Sequence, residues 1–185
     1  MAGQRLTDKT ALAENTASDD KLMVVDTSDT TGSSAGTSKK IDSKFVIQTD
    51  KISLNNAEVI ALDDGGGAGE FKVLVAAPGS GFMIQVLQVS MITTGAGAAE
   101  TSNKNLYFGY DVDQTTSYFA YYNRFVNLLT SGQIRSFMGN GNTGNNSNGS
   151  AIATIDNTAF SVWSNGTFVG GWAMDVFVTY QIVKL

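Results

Sequence analysis

The sequence predicts an all-β protein: an antiparallel β-sandwich, jelly-roll-like, preceded by an extended N-terminal arm with a small hairpin. Seven or eight short apolar or aromatic segments are separated by stretches rich in Gly, Asn, Ser and Thr. The chain has one proline and no segment with a convincing helical period. Apolar residues occupy every second position of the last segment, and we expect them to form one wall of the core: Trp172, Met174, Val176, Val178, Tyr180 and Ile182.

The N-terminal part of the chain is polar and carries the predicted hairpin. Residues 1–20 show no clear period and predict an extended arm. "KLMVVD" and "KKI" predict two short strands. The intervening "TSDTTGSSAGTS" has turn chemistry, because Asp and Ser bond to nearby backbone while Gly32 and Gly36 allow positive φ. Asp42 then occupies an N-cap position before "SKFVIQ", which predicts a single helical turn.

A glycine-rich stretch, "DDGGGAG" at 63–69, marks the clearest boundary, because four glycines do not form a stiff element. We therefore divide the chain into an N-terminal segment 1–62, a Gly-rich linker 63–69 and a β-sandwich domain 70–185. The first 60 or so residues are rich in charge and lack the apolar residues of a core. Their deletion is therefore expected to leave a folded β domain.

Past this boundary the apolar segments predict strands. "EFKVLVAA", a "PGSG" turn and "FMIQVLQVSMITT" come first, and the last of these is apolar on both faces, which indicates burial in a sandwich or an interface. Aromatic-rich strands follow in "NLYFGYDV" and "SYFAYYNRFVNLL", and then "AIATI" and "AFSVWS". The pair Asn165-Gly166 is a strong hairpin signal and predicts a tight turn into the final strand.

Charge is concentrated at the N-terminal end. Residues 1–70 hold 12 of the 17 acidic and 7 of the 12 basic residues, which leaves 5 of each for the rest of the chain. Because soluble domains usually carry about 25% charged residues, the weakly charged remainder indicates packing against copies of the chain or a partner. The apolar faces of residues 82–92 predict a homotrimer. The net charge of −5 argues against nucleic-acid binding.

Composition excludes several classes of site. The chain has no His and no Cys, which excludes metal sites built on them, thiol nucleophiles, Ser-His-Asp triads and disulfides. A calcium loop is an alternative for "DTSDTTG", although its spacing departs from the EF-hand pattern. No apolar run reaches the roughly 18 residues of a membrane span, and the N-terminus has no signal-peptide h-region. We predict no metal, no cofactor and no membrane contact.

Two stretches resemble parts of known proteins. "DDKLMVVDTSDTTGSSAGTSKKI" resembles a segment common near the N-termini of tailed-bacteriophage virion proteins: an acidic dipeptide, an apolar strand ending in Asp, a Ser/Thr/Asp/Gly turn, then "GTSKKI". "VLVAAPGSGFMIQVLQVSM", at 73–91, is similar to the Ala-Pro-Gly-x-Gly turn between two strands in some phage structural β domains. Together the two stretches cover about a quarter of the chain.

This resemblance implies a non-enzymatic structural protein of a tailed phage, made in the host bacterial cytoplasm and located in the virion. The N-terminal segment would anchor the chain to other virion proteins, the major capsid protein or tail proteins, while an oligomeric β domain faces outward. The short chain suits a capsid decoration protein or a head fibre, which usually form trimers. A tail-associated adaptor or a receptor- or glycan-binding tip protein is the alternative. No catalytic, cofactor-binding or metal-binding residues are implied.

Glycan binding or hydrolysis is a second class of function. The aromatic "SYFAYYNRF" could stack on sugar rings of a host surface glycan, although its alternation favours a core or a subunit interface. A glycosidase needs two carboxyl groups about 5–10 Å apart. Asp111 and Asp113 share a strand face but lie beside a turn, where acids are common, so we predict no catalysis. The candidates in the β domain are Glu100, Asp111, Asp113, Asp156 and Asp175.

Overall fold

The computed structural model of the protein describes residues 21–32, 34–63, 71–95, 97–110, 118–122, 134–139 and 156–185. Within 118–122 and 134–139 it describes the backbone alone. The chain divides into two compact units, Met1–Val46 and Ile47–Leu185. Three predicted features lie outside the described residues: the arm at 1–20, the linker beyond residue 63 and the "AIATI" strand at 151–155.

The first unit contains the predicted hairpin. Strand β1 (Lys21–Asp26) pairs antiparallel with β2 (Thr37–Asp42), in a register that places Met23 opposite Lys40. A 3₁₀ turn at Ser43–Phe45 follows β2 directly, which confirms the predicted single helical turn.

The second unit contains eight strands and one short helix among the described residues. They form two four-stranded sheets: sheet 1 has the strand order β3-β10-β5-β8, and sheet 2 has the order β4-β9-β6-β7. In chain order the elements are β3 (Gln48–Leu54), α1 (Asn56–Ile60), β4 (Phe71–Val75), β5 (Phe82–Gly95), β6 (Leu106–Gly109), β7 (Tyr118–Tyr122), β8 (Ile134–Gly139), β9 (Phe160–Ser164) and β10 (Trp172–Lys184).

The pairing of the sandwich strands is nested and antiparallel throughout. The first strand pairs with the last (β3 with β10), the second with the seventh (β4 with β9), the third with the sixth (β5 with β8) and the fourth with the fifth (β6 with β7). Rolling such a nested ladder into two layers gives the eight-stranded double Greek key of a jelly roll. The predicted antiparallel, jelly-roll-like sandwich is therefore confirmed.

The core lies between the two sheets. Sheet 2 contributes Leu106, Phe108, Phe160 and Val162, each fully buried. Strand β10 contributes the alternating set that the sequence predicted, and each member is at most 9% exposed: Trp172, Met174, Val176, Val178, Tyr180 and Ile182. The predicted core face of the last strand is therefore confirmed.

The sandwich begins upstream of the glycine-rich stretch, which corrects the predicted boundary at residue 62. Strand β3 pairs along its whole length with β10, and Leu54, Val59 and Leu62 are at most 1% exposed. Helix α1 is fixed by a capping box, in which Asn55 accepts from the Glu58 N–H at 3.1 Å and Glu58 accepts from the Asn55 N–H at 3.0 Å. Five residues are too few to show a period, so the sequence period did not predict this helix.

Between β7 and β10 one prediction is corrected, and one strand appears that was not predicted. Gly166 adopts a φ of 142°, but β9 belongs to sheet 2 and β10 to sheet 1. The Asn165-Gly166 turn therefore crosses between the layers and does not close a hairpin. No strand is predicted over β8, whose sequence "IRSFMG" interrupts its apolar residues with Arg, Ser and Gly.

A β-bulge explains why β5 is apolar on both faces in sequence. In the pairing of β5 with β10, Tyr180 is opposite Val86 and Thr179 is opposite Gln88, so Leu87 is the extra residue. The bulge shifts the alternation by one position. Residues before and after it can therefore both face the core, which they do: Ile84, Val86, Val89 and Met91 are at most 7% exposed.

Deleting residues 1–46 is expected to leave the jelly roll folded, whereas deleting residues 1–62 is expected to unfold it. The longer deletion removes β3 and the buried Leu54, Val59 and Leu62. Losing a large buried aliphatic side chain costs about 2–5 kcal/mol, so three such losses reach the roughly 5–15 kcal/mol stability of a whole domain. Thermal melting of the two truncated chains tests this. A cooperative transition of the 1–62 deletion near that of the full chain would contradict the role of β3 in the fold.

Candidate interaction surface

The loop between β1 and β2 is held by its own side chains. The Asp26 oxygen Oδ1 accepts hydrogen bonds from the Ser28 hydroxyl at 2.6 Å, the Ser28 N–H at 3.0 Å and the Asp29 N–H at 3.3 Å. The bonds from Ser28 above all hold the pKa of Asp26 below its usual value. This pattern confirms the predicted turn chemistry, in which short polar side chains bond to backbone nearby.

Asp29 ties the loop to β2. Its carboxylate accepts from the Thr31 N–H at 3.1 Å and the Thr31 hydroxyl at 2.6 Å, and it lies 2.5 Å from the Lys39 ammonium. The bond from Lys39 is the main cause of the lowered pKa of Asp29, about 2. Both carboxylates of the calcium-loop alternative, Asp26 and Asp29, are therefore engaged by donors of the hairpin itself.

Loop closure requires glycine at position 36. Gly36 has a φ of 111°, and a Cβ atom there would lie 2.7 Å from the Asp26 carbonyl oxygen. Positive φ, also expected at Gly32, is not found there, and the Gly32 N–H donates to the Thr37 hydroxyl at 3.2 Å. Local contacts therefore hold the described residues of the loop.

The hairpin exposes apolar side chains on both faces. Met23 is 75% exposed, Val25 56% and Val24 44%. Successive strand residues point to opposite faces, so the two strands by themselves cannot cover the unbroken apolar run of β1. A shallow pocket at the hairpin is lined by residues of both strands, and we call this lining the hairpin surface: Leu22, Met23, Ser38, Lys39 and Lys40.

The hairpin surface suits docking to another protein. An isolated two-stranded hairpin is only marginally stable in water, and exposed apolar patches mark interaction sites. Lys40 is exposed and lies opposite Met23 in the register. The surface therefore places an apolar side chain, Met23, beside a positive one, Lys40, which fits an apolar segment that carries an acidic group.

The sequence gives a signal for this surface. Four consecutive apolar residues, "LMVV", sit in a strand whose nearest predicted partner is the polar "KKI". A single hairpin has no second layer to cover either face. Such a run in a two-stranded element therefore indicates a surface to be covered by something else.

The candidate acids of the β domain do not form a carboxyl pair in the described residues. Asp156 accepts from the Gly81 N–H at 2.8 Å, next to the start of β5, whereas Glu100 follows the end of β5. Strand β5 has 14 residues and so is roughly 45 Å long, well beyond the carboxyl spacing of a glycosidase, about 5–10 Å. Asp175 lies on the outward side of β10, where it contacts Lys51 at 2.8 Å. Asp111 and Asp113 lie outside the described residues.

Glu100 is a buried carboxylate that joins two loops. It is 1% exposed, and its oxygens accept from the N–H groups of Ser102 and Gly170 at 2.8 Å, from Trp172 Nε1 at 2.9 Å and from the Val169 N–H at 3.1 Å. Burial raises the pKa of Glu100, but the bonds from Ser102, Trp172 and Gly170 outweigh it and hold the pKa below its ordinary value. This Glu100 clamp fixes the loop after β5 to the segment before β10.

Comparison with known proteins gives one distant similarity. No protein-family model and no curated protein matches the chain. The chain is similar to a chain in the solved structure of infectious bursal disease virus, Gx strain, with 13% identity and a TM-score of 0.32. The match covers 78% of this chain and 34% of that chain, so the protein spans about a third of its length. This similarity is to a viral protein and is not specific to tailed phages.

The described residues contain one α-helix, the five-residue α1. No helix in this part of the chain is long and apolar enough to cross a membrane.

Proposed function

We propose that the chain is a non-enzymatic structural protein of a tailed-phage particle, which attaches through its N-terminal segment and displays the jelly roll as an oligomer. A capsid decoration protein or head fibre fits these features. The hairpin surface carries the proposal. The segment that resembles phage virion proteins also holds Met23, which at 75% is the most exposed large apolar side chain of the described residues.

The resemblance and the geometry concern the same residues. The resembling segment spans β1, the loop and β2. Its Asp, Ser, Thr and Gly residues hold the loop by the bonds of Asp26 and Asp29 and by the positive φ of Gly36. A preformed loop loses little conformational entropy on binding. The sequence pattern therefore supports a docking element that is ordered before it meets its partner.

Attachment and display belong to separate units in this proposal. The hairpin lies in Met1–Val46, and the complete jelly roll lies in Ile47–Leu185. The partner of the hairpin is another virion protein, the major capsid protein or a tail protein, which offers an apolar segment with an acidic group. The spread of Glu100, Asp156 and Asp175 over different parts of the sandwich supports the non-enzymatic role.

Met23→Glu is expected to reduce incorporation into particles by at least about tenfold, since a factor of ten corresponds to only about 1.4 kcal/mol of binding free energy. The new carboxylate lies opposite Lys40, and an opposite-charge cross-strand pair supports the hairpin. The variant therefore removes the apolar contact and keeps the fold. Copies per particle are counted after the variant is supplied to phage that lacks the native gene.

Val73→Glu is the matched control. Val73 lies on β4 of the jelly roll and is 41% exposed, so the control adds the same charge to another exposed apolar strand position. Its incorporation is expected to equal that of the unchanged chain. Normal occupancy of Met23→Glu, or of a chain that lacks residues 1–46, would contradict attachment through the hairpin. Hydrolysis of host polysaccharide by the purified chain would contradict the non-enzymatic role.

A further inference from the structure

We infer that the outward side of β3, β10 and β5 in sheet 1 packs against a second copy of this chain. We call this side the neutral face. The inference rests on the proposed function for the expectation of an oligomer, and it goes further by naming the face that makes the contact.

The first observation is the bulge in β5, which leaves Leu87 on the outside. Val86 and Val89 face the core at 7% and 0% exposure, and the two residues between them point outward. Leu87 is 40% exposed. Bulges interrupt the ladder and re-aim side chains, and they are often retained for that purpose. The alternation of Val89 and Met91, extended back without a bulge, would have given Leu87 to the core, and the bulge leaves it on the outside.

The second observation is that Leu87 belongs to an apolar stripe. Ile92 is 37% exposed on the same side of β5. Phe177 of β10 lies opposite Ser90 in the register, between the levels of Leu87 and Ile92, and its side chain is partly exposed. The stripe is roughly 15 Å long, and three neighbouring apolar side chains on one sheet face favour contact with another surface.

The third observation concerns charge and decides the occupant. Among the described side chains of the neutral face, the charged ones are Lys51 and Asp175, whose ammonium and carboxylate are 2.8 Å apart. The chain as a whole carries −5, so two copies repel each other elsewhere. Side chains near a rotation axis meet their own copies, and like charges placed together oppose association. A face without net charge is therefore suited to a second copy.

The fourth observation is that polar groups of this face are already paired with each other. The hydroxyl oxygens of Thr49 and Thr179 are 2.9 Å apart, and the Gln181 amide donates to Gln85 at 2.5 Å. Groups that have a partner within the chain lose less on removal from water than groups that bond to solvent. Covering the neutral face therefore carries a low desolvation penalty.

The size of the face is sufficient for a specific contact. Strands β5 and β10 have 14 and 13 residues, so the face is roughly 40 Å long and 15 Å wide, about 600 Å² per copy. Burial of such a face on two copies removes about 1,200 Å², the lower end of a standard protein–protein interface.

The double variant Leu87→Glu/Ile92→Glu tests the inference on the full-length chain. The unchanged chain is expected to sediment with the mass of two chains at micromolar concentration, because a face that packs on its own copy pairs two chains, where the sequence predicts three. The double variant is expected to sediment with the mass of one chain. Each new carboxylate would meet its own copy in the contact. A cooperative thermal transition of the double variant shows that loss of association is not loss of fold. Val73→Glu, at 41% exposure against 40% for Leu87, is expected to keep the mass of the unchanged chain.

A mixing experiment distinguishes a contact at Leu87 from a role of Leu87 in the fold of a single chain. Leu87→Glu and Leu87→Lys chains are each expected to dissociate alone and to associate when mixed, because opposite charges then meet at the contact. An unchanged chain that sediments as a monomer overturns the inference. Wild-type mass for the double variant, or dissociation of Val73→Glu to the same extent, also overturns it. A mass of three chains that depends on Leu87 supports the role of Leu87 and replaces the pairing of two copies with the predicted trimer.

The outcomes separate this inference from the proposed function. If the double variant keeps its mass while Met23→Glu still blocks incorporation, the neutral face is wrong and attachment through the hairpin stands. If association depends on Leu87 while Met23→Glu is incorporated normally, the neutral face stands and attachment through the hairpin is wrong.

Discussion

Val178→Asp is expected to abolish the cooperative thermal transition of the jelly roll. Val178 is 0% exposed, and its register partners are Asp50 on β3 and Val89 on β5. The new carboxylate would be buried beside that of Asp50, which already accepts a hydrogen bond from the Tyr180 hydroxyl at 2.8 Å. An unpaired buried charge costs several kcal/mol, and a like charge directly across the ladder adds to this. The sum is comparable to the whole stability of a domain, roughly 5–15 kcal/mol.

Thr179→Asp is the matched control on the next residue. It places the same carboxylate on the opposite side of β10. There Thr179 pairs with Thr49 of β3, and Lys51 lies two residues along β3 on the same side. The expected loss is under about 1 kcal/mol, as for other partly exposed sites without a buried charge. The two variants are compared by thermal melting over a range of protein concentrations, because only association makes the melting temperature concentration-dependent. If Val178→Asp and Thr179→Asp lowered the melting temperature equally at every protein concentration, β10 could not be buried on one side only in this register.

Glu100→Gln is expected to lower the melting temperature by roughly 10 °C. The substitution turns an acceptor oxygen into an NH₂ group that faces the N–H donors of Gly170 and Trp172. Each buried donor left without an acceptor costs about 1–3 kcal/mol. The control is Asp63→Asn, at an exposed carboxylate with a bond from the Thr167 hydroxyl at 3.0 Å. Its melting temperature is expected to stay within a few degrees of the unchanged protein. Similar losses in both variants would contradict the clamp.

The contribution of the Glu100 clamp is also expected to depend on pH. The folded-state pKa of Glu100 lies below its ordinary value of 4.5. The stability that comes from this depressed pKa is therefore present above pH 4.5 and is lost as the pH falls through the folded-state pKa. The difference in melting temperature between the unchanged protein and Glu100→Gln should shrink as the pH falls below 4.5. The other acidic residues are present in both proteins, so their protonation cancels in this difference. A gap of constant size down to pH 3 would show that the ionised form of Glu100 is not what joins the loops.

Local patterns predicted much of the fold. The core face of β10 follows from alternation alone, because the strand has no bulge on its own chain and is covered on one side by sheet 2. The hairpin turn was also predictable, since Asp26 and Asp29 bond to residues two or three positions away. The β10 core face and the hairpin turn are both determined by residues that lie close together in sequence.

Distant contacts account for what the sequence did not predict. The boundary at residue 62 fails because β3 finds its partner in β10, far along the chain. The Asn165-Gly166 turn has hairpin chemistry, yet the strands on either side of it pair with other strands. Nothing near Leu87 in sequence reveals the bulge that turns it outward.

The two features of the candidate site, the exposed run of β1 and the buried Glu100, also differ in whether local sequence could predict them. The exposed run of β1 could be predicted, because a lone hairpin has no second layer. The role of Glu100 could not, since its donors Gly170 and Trp172 lie about 70 residues downstream. A buried carboxylate in a polar loop has no local signature that distinguishes it from an exposed one.

The nested strand pairing has a consequence for the order of folding during synthesis. Lys21 pairs with Asp42 within the hairpin, whereas Leu54 of β3 pairs with Met174 of β10, 120 positions later (174 − 54). The hairpin can close early, while β3 stays an unpaired edge until β10 has emerged, as is typical of slow, non-local β topologies. A chain that stops before β10 would keep its hairpin and lack the central strand of sheet 1. If the chain attaches through the hairpin, as proposed, truncated translation products should compete with complete chains for the same attachment sites.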